Sequence, residues 1–123
     1  RDNRTTGFRV PISDPESRRV ENRIAGMDCN PYLGIAASLA SGYLGLIEQQ
    51  PTRPEFSGDA YSAASEIPND LHTALRLLTS NTAFQEVLGS EFCRAYATVK
   101  ALEYEEFLQV ISPWEREHLL LNV

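Results

Sequence analysis

Arginine and glutamate alternate along one short stretch of the sequence. Arg19, Glu21 and Arg23 stand two positions apart, and on a β-strand this period places their side chains on one face. A carboxylate between two guanidinium groups can ligate a divalent cation while the arginines hold anionic oxygens beside it, a combination that phosphoryl transfer requires. The structural alternative is an exposed ladder contributing roughly a few tenths of a kcal/mol per ion pair, and the pattern by itself favours the ladder.

Two further arginines precede this triplet. Arg9 lies on the same predicted face, which supports a functional site. Arg4 falls by period two on the opposite face together with Phe8, so it either precedes the strand or is redirected by a bulge at Gly7. The alternative for Arg4 is a frayed residue near the start of the chain.

The elements that must position these side chains begin with a β-hairpin. Residues 6–12 and 18–24 alternate in the manner of strands, and a polar turn over residues 13–17 separates them. We therefore predict a hairpin within residues 1–24. Its apolar face comprises Phe8, Val10, Val20 and Ile24. Its polar face comprises Arg9, Arg19, Glu21 and Arg23.

The sequence after Asp28 is typical of helices. Asn30 is a natural N-cap and Pro31 suits the first helical position, and the helix that they begin is expected to be buried. The predicted helices cover residues 30–48, 70–79, 82–89, 90–111 and 113–121. The predicted fold class is therefore α+β, a β-hairpin followed by a helical carboxy-terminal subdomain.

Local signals refine the later helices. Thr82 with Gln85, and Ser112 with Glu115, have the spacing of capping boxes at two helix starts. One apolar stripe on the long fourth helix comprises Phe92, Tyr96, Val99, Phe107 and Val110.

Length and charge limit the classes of function. The chain has 123 residues and a formal net charge of −6, which leaves room for one domain or part of a larger one. Residues 1–23 carry six arginines against four acids, whereas residues 24–123 carry five basic residues against thirteen acids. The acidic balance argues against a nucleic-acid partner, while the local arginine cluster suggests a specific anion site.

The cysteines and the longest uncharged run indicate a cytoplasmic protein with no membrane partner. Cys29 and Cys93 lack metal-type spacing and are expected to stay reduced. No signal-peptide pattern opens the sequence, and the uncharged run over residues 30–47 is too short and too polar to span a membrane. The chain begins without Met in an already patterned segment, so we expect it to be part of a longer polypeptide.

Three other candidate sites are weaker. Glu115 and His118 stand three apart on a helix, a spacing that can bind metal, but no second pair accompanies them, so a surface contact is expected. His72 is isolated and is expected on a helix surface. Cys93 has no basic partner in the pattern and is expected to pack rather than to act as a nucleophile.

Six short motifs follow one another within residues 3–45. They are Asn3-Arg4, Phe8-Arg9-Val10-Pro11, Arg18-Arg19-Val20-Glu21-Asn22-Arg23, Asn30-Pro31-Tyr32-Leu33, Ile35-Ala36-Ala37 and Ser41-Gly42-Tyr43-Leu44-Gly45. In order and spacing they resemble the carboxy-terminal part of glutamine synthetases. A looser likeness continues along the acidic segment Glu103–Phe107, so the resemblance covers essentially the whole chain. This combination replaces the ladder interpretation with a functional one.

The resemblance implies a chemical role for each of these residues. Glutamine synthetases use ATP to phosphorylate the γ-carboxylate of glutamate, and an amine then displaces phosphate. By resemblance Arg4 and Arg9 bind the ATP phosphates, and Arg4, the candidate catalytic residue, lies near the transferred group. Arg19 supports the nucleotide side, and Arg23 binds the carboxylate of glutamate. Glu21 matches the ligand of the nucleotide-side Mg²⁺ or Mn²⁺.

The resemblance also implies a larger assembly. The family's other metal carboxylates, its acid–base Glu and its small amino-terminal β domain lie upstream of the matching region. Family active sites form between neighbouring subunits of stacked rings, so residues 1–123 would supply one wall of a site in a ring-type homo-oligomer. Glu16 departs from the family pattern, because some bacterial members carry a Lys near the nucleotide at this position, so a nucleotide contact from that turn is not carried over to this chain.

Two alternatives to a glutamine synthetase stay open. A γ-glutamyl-polyamine synthetase shares the phosphorylation step and these motifs, because the amine enters from a part of the site that this sequence lacks. A non-catalytic relative is the second alternative, and the intact Arg4, Arg9, Glu21 and Arg23 count against it. We expect glutamate and ammonia as the substrates, since glutamine formation is the family's central activity, and we expect the 123 residues alone to be inactive.

Overall fold

Within residues 3–121, which the computed structural model describes, a two-stranded sheet precedes five α-helices. The strands are β1 (Phe8–Arg9) and β2 (Glu21–Asn22), and the helices are α1 (Pro31–Ile47), α2 (Leu71–Ser80), α3 (Thr82–Leu88), α4 (Ser90–Leu108) and α5 (Pro113–His118). Short 3-10 helices cover Pro15–Ser17 and Ala60–Ser62. The chain divides into two compact units between Ile67 and Pro68. The predicted α+β class is confirmed.

The two strands pair antiparallel in a register that fixes the faces of the hairpin. Phe8 lies opposite Asn22, and Arg9 lies opposite Glu21. Residues directly opposite each other in an antiparallel pair project to the same side of the sheet. The register therefore brings the Arg9 guanidinium to the Glu21 carboxylate.

Each strand is only two residues long, much shorter than the alternation over residues 6–12 and 18–24 predicted. Pro11 has no amide hydrogen and cannot donate to the ladder, so pairing stops close to it. The chain between the strands then turns through Pro15–Ser17, where the Ser17 amide donates to the Asp14 carbonyl oxygen at 2.9 Å. The hairpin is thus a short ladder with a long connection.

The predicted apolar face of the hairpin is exposed rather than covered. Its four members are Phe8, Val10, Val20 and Ile24. On the polar face Arg9 and Glu21 are better shielded, with side chains only 19% and 26% exposed, whereas Arg19 and Arg23 are exposed. Two short strands shield each other through paired side chains, whereas an apolar face needs a second layer to cover it.

Helix α1 begins where the sequence predicted. The Asn30 side-chain oxygen accepts hydrogen bonds from the amides of Tyr32 and Leu33 at 3.0 and 3.4 Å, and Pro31 occupies the first helical position. The prediction that this helix is buried is wrong for the described chain, since only Ala40 is buried and Leu46 is 80% exposed. A helix that is apolar around its circumference needs neighbours on several sides.

Helices α2, α3 and α4 pack together in the second unit. Cys93, 1% exposed, and Ala97 form the buried face of α4. Half-buried residues on the same face are Tyr96, Lys100, Ala101 and Tyr104. Of the predicted stripe only Tyr96 lies on this face, and the prediction is wrong for its other four members, which are exposed. Those members are Phe92, Val99, Phe107 and Val110.

Helix α3 starts with a different cap from the one predicted. The Asn81 side chain accepts a hydrogen bond from the Phe84 amide at 2.9 Å, and Thr82 is the first helical residue. The Thr82–Gln85 capping box is therefore wrong. Asparagine is a strong N-cap, so Asn81 takes this role one position before Thr82. Gln85 instead donates to the carbonyl oxygens of Leu78 and Thr79 at the end of α2.

Candidate functional site

The centre of the candidate site is an ion pair between the two strands. Arg9 Nη2 lies 2.6 Å from Glu21 Oε2, and Arg9 Nε donates to the same oxygen at 2.8 Å. Both side chains are half-buried, so the pair is partly protected from solvent screening. The guanidinium plane is fixed by these two contacts, which is the geometry of an anchored anion-binding arginine.

Arg19 completes the arrangement from the other side of Glu21. Its Nη2 lies 3.1 Å from Glu21 Oε1 and its Nε donates to that oxygen at 3.2 Å. Arg19 Nη1 also donates to the Ser17 carbonyl oxygen at 3.4 Å, which ties the guanidinium to the turn. Each oxygen of Glu21 is thus contacted by a different arginine. The carboxylate lies between Arg9 and Arg19 and not, as the period-two pattern predicted, between Arg19 and Arg23, because Arg23 donates to the Arg4 carbonyl oxygen instead.

The electrostatics of this group favour an ionised carboxylate and a further anion. The hydrogen bond from Arg9 lowers the pKa of Glu21 below its ordinary value of 4.5, and the positive charges of Arg9 and Arg19 act in the same direction. Two guanidinium groups around one carboxylate leave one positive charge in excess. The group can therefore attract a phosphate or carboxylate oxygen without losing its internal pairing.

Arg23 and Arg4 form the second part of the site. Arg23 follows β2, its amide donates to the Gly7 carbonyl oxygen at 2.8 Å, and its Nη1 donates to the carbonyl oxygen of Arg4. Arg4 precedes β1, so the first of the two sequence interpretations for this residue holds, and its side chain is exposed. A guanidinium has five N–H donors, so Arg23 can hold this backbone and still bind another group.

Two residues that the sequence interpretation missed fasten the segment around Arg4. Asn3 Nδ2 donates to the Gly58 carbonyl oxygen at 2.9 Å, and the Ala60 amide donates to Thr5 Oγ1 at 2.9 Å. Thr5 is also bonded to Asn3 through its amide and its hydroxyl. The available signal was Asn followed two positions later by Thr, the spacing of a side-chain turn.

A third missed residue connects the hairpin to α1. Asn22 Nδ2 donates to Ser38 Oγ at 2.8 Å, and the Asn22 oxygen accepts from the Ile24 amide at 3.0 Å. Ser38 in turn donates to the Gly34 carbonyl oxygen within α1. Because Asn22 is adjacent to Glu21, this contact fixes the strand that carries the carboxylate.

The described residues fit one ligand of a divalent metal site. Among residues 3–121 no group of three or more His, Cys, Asp or Glu side chains could hold a metal ion. Glu21 offers ionised oxygen donors of the kind that Mg²⁺ and Mn²⁺ prefer. A cation would share these oxygens with the two arginines, since each oxygen is already contacted by two nitrogens of one guanidinium. Any metal here would require further oxygen ligands from outside residues 3–121.

The other candidates have structural roles. Ser112 and Glu115 form the predicted capping box of α5, with the Glu115 amide donating to Ser112 Oγ and the Ser112 amide donating to Glu115 Oε2. His118 stacks on Trp114 at 4.7 Å between ring centroids. The carboxylate that a Glu115–His118 metal pair would need is therefore occupied by the helix start.

The remaining isolated groups do not join the site. Cys93 is buried and packs within α4 and its neighbours, as predicted, and Cys29 is exposed; both are free thiols. His72 lies exposed on α2. No helix in residues 3–121 has the length and apolar character needed to cross a membrane.

The hairpin and the helices belong to a stretch of sequence that matches a known protein family. Residues 1–119 match the family model described as "Glutamine synthetase, catalytic domain". This range includes the hairpin, its arginines and all five helices.

Curated proteins with similar sequences carry several amine-ligase names. A glutamate–isopropylamine ligase of Pseudomonas sp is 34% identical over 93% of this chain and 26% of its own length. A gamma-glutamylputrescine synthetase of Escherichia coli is 35% identical over 98% of this chain and 26% of its own length. A type-1 glutamine synthetase of Dictyostelium discoideum is 32% identical over 97% and 24%, respectively. The chain thus spans about a quarter of the length of these relatives.

Proposed function

The chain belongs to the glutamine synthetase catalytic-domain family, and on that premise we propose that it forms one wall of an ATP-dependent glutamate–ammonia ligase site. The observation that carries the proposal is the Glu21 carboxylate held between Arg9 and Arg19. A surface ion pair would need only one arginine, whereas this group keeps both guanidinium planes in place and one positive charge in excess. Such a preorganised cationic group stabilises negative charge that develops in a transition state.

The first proposed step is phosphoryl transfer from ATP to glutamate. An oxygen of the γ-carboxylate attacks the γ-phosphorus, a new O–P bond forms, and the bond from that phosphorus to the ADP oxygen breaks. Arg9 and Arg19 bind phosphate oxygens on the nucleotide side, and Arg4 lies nearest the group in transfer. Charge neutralisation and alignment are the main requirements of this step, and arginines supply both.

The second proposed step is aminolysis of the γ-glutamyl phosphate intermediate. The amine nitrogen attacks the acyl carbon, phosphate leaves with the electrons of the C–O bond, and the amine loses a proton to a base from outside this chain. Arg23 holds the carboxylate of glutamate throughout. Its bond to the Arg4 backbone supports this role, because it links the glutamate-binding arginine to the phosphate-binding one.

A divalent cation is part of the proposal as a cofactor shared with other parts of the protein. Glu21 would provide one ligand to Mg²⁺ or Mn²⁺. When bound, the ion would neutralise charge on the nucleotide phosphates. Arg9 and Arg19 hold the two oxygens of Glu21 and would thereby fix the orientation of its carboxylate plane.

We further propose that the active protein is a cytoplasmic, ring-type homo-oligomer. The two-stranded sheet within the described residues leaves backbone groups on its outer edges, which further strands could pair. The exposed apolar side chains of the hairpin and of α1 offer surface for additional layers. Both features support a site that is completed by residues outside this chain.

A second candidate is a γ-glutamyl-polyamine or alkylamine synthetase. The observation that favours it is that similar proteins include a glutamate–isopropylamine ligase and a gamma-glutamylputrescine synthetase. The phosphorylation step and the proposed roles of Arg4, Arg9, Glu21 and Arg23 are the same in both candidates. The two functions differ only in the nucleophile of the second step.

The test is to supply the full-length protein with ATP, glutamate and either ammonium or putrescine, and to compare kcat/KM from phosphate release. We expect ammonium to be preferred. A hundredfold preference for putrescine, about 2.7 kcal/mol of differential transition-state stabilisation, would establish the second candidate instead. No phosphate release with any amine would favour a non-catalytic relative.

A further inference from the structure

The backbone on both sides of Arg4 is fastened to a loop more than fifty residues away in sequence. Asn3 Oδ1 accepts hydrogen bonds from the Thr5 amide at 3.0 Å and from Thr5 Oγ1 at 2.7 Å. Asn3 Nδ2 donates to the Gly58 carbonyl oxygen, and Thr5 Oγ1 accepts from the Ala60 amide, each at 2.9 Å. Every polar atom of these two side chains is therefore used in one connected network.

The loop side of the network has its own constraints. Gly58 has φ +103, a backbone conformation that favours glycine. Ala60 begins the short helix Ala60–Ser62, and its amide would lack a partner at that helix start without the Thr5 hydroxyl. An ion pair of 2.5 Å between Arg53 and Glu66 joins the flanks of the same loop. The loop thus presents two fixed backbone groups to residues 3–5.

We propose that Thr5, supported by Asn3, is a positioning residue for Arg4, and that the loop at Gly58–Ala60 sets the direction of the Arg4 guanidinium. The inference rests on the proposed function, in which Arg4 contacts the phosphoryl group in transfer. Arg4 is held between the two bonded residues, and Arg23 fixes its carbonyl oxygen. The network fixes the backbone from which the Arg4 side chain extends.

This arrangement predicts a particular kind of defect. Thr5→Val keeps the shape of the side chain but removes the acceptor for the Ala60 amide and the donor to Asn3. Thr5→Ser keeps the hydroxyl and removes only a methyl group. Misplacing a group that acts in the transition state lowers kcat more than it raises KM. Thr98, whose hydroxyl bonds only within α4 to the Arg94 carbonyl oxygen, provides a matched Thr→Val control.

The experiment measures phosphate release by the full-length protein with saturating glutamate and amine while ATP is varied. We expect Thr5→Val to lower kcat by about tenfold with KM for ATP changed less. We expect Thr5→Ser and Thr98→Val to stay within about twofold of the wild type. In an Arg4→Ala background Thr5→Val should cost less than about twofold, because residues that act through one another are non-additive.

A second readout follows the Ala60 amide by hydrogen exchange. Thr5→Val should speed its exchange by about tenfold, whereas Thr98→Val should leave it unchanged. If Thr5→Val does not fold, Asn3→Asp serves instead, since it keeps the acceptor for Thr5 and removes the donor to Gly58; the same fall in kcat is expected.

Three results would overturn the inference. They are an unchanged kcat in Thr5→Val, equal losses from Thr5→Val with and without Arg4, and unchanged exchange at Ala60. Each of these leaves the ligase function standing if the wild type is active. An inactive wild type refutes the proposed function, and the positioning role is refuted with it.

Discussion

Replacing Glu21 by Gln tests the centre of the site with little change in shape. Glu21 uses both oxygens, one for Arg9 and one for Arg19. The amide of Gln can accept from one arginine only, because its NH₂ group would face the donors of the other. The substitution therefore removes the charge and one of the two guanidinium contacts, while the backbone pairing of β1 and β2 remains.

The expected size of the effect follows from these contacts. If Glu21 is a metal ligand and the anchor of two phosphate-binding arginines, its loss weakens cation binding and misplaces two charged groups. We expect the Mg²⁺ concentration for half-maximal activity to rise by at least about tenfold. We expect kcat at saturating Mg²⁺ to fall by about a hundredfold, as when a preorganised charge-stabilising group is removed.

The assay is the initial rate of phosphate release by the full-length protein, measured across a series of Mg²⁺ concentrations at saturating ATP and glutamate. Glu16→Gln is the matched control. Glu16 lies exposed in the turn Pro15–Ser17 of the same hairpin, and the same change there should leave both quantities within about twofold. Equal kinetics of Glu21→Gln and wild type at limiting Mg²⁺ would refute the ligand role and restore the interpretation of the triplet as a structural ladder.

Two further predictions concern pH and completeness of the site. Arg9 lowers the pKa of Glu21, so the pairing contributes stability that is fully present above about pH 4.5 and is lost as the pH falls through the lower folded-state pKa. The difference in urea midpoint between wild type and Glu21→Gln should therefore be constant above that pH and shrink below it. A difference independent of pH would contradict the ion pair. The 123 residues expressed alone should release no phosphate from ATP and glutamate. Glu21 supplies a single metal ligand, whereas Mg²⁺ needs several oxygens. Turnover by this chain alone would refute a site shared with other residues.

The sequence predicted correctly those features that depend on the local periodicity of a strand or on the residues at a helix start. Period two predicted that Arg9, Arg19, Glu21 and Arg23 would share a face. The strand register brings Arg9 to Glu21 and the Arg19 side chain also contacts Glu21, whereas Arg23 donates to the Arg4 carbonyl oxygen. The start of α1 at Asn30-Pro31 and the capping box of Ser112 were also predictable, because caps depend on residues within one turn. The family resemblance, carried by residues 3–45, is confirmed by the match over residues 1–119.

Other features depended on which surfaces meet. The buried face of α4 is set by Cys93 and Ala97, whose small side chains allow α2 and α3 to approach. Composition favoured the larger side chains, among them Phe92 and Phe107, and these are exposed. The stripe predicted from large apolar side chains therefore differs from the face of α4 that helix packing buries.

The sequence by itself determined which groups could do chemistry, because charge type and strand period are local properties. Only the tertiary structure decided that Arg23 binds the Arg4 backbone and that Asn3 and Thr5 bind a loop near Gly58. Hydrogen bonds between segments some twenty to fifty residues apart leave no periodic signal, since they depend on how the intervening chain folds. The charged residues of the site could thus be identified from the sequence, whereas the residues that position them were determined by the fold.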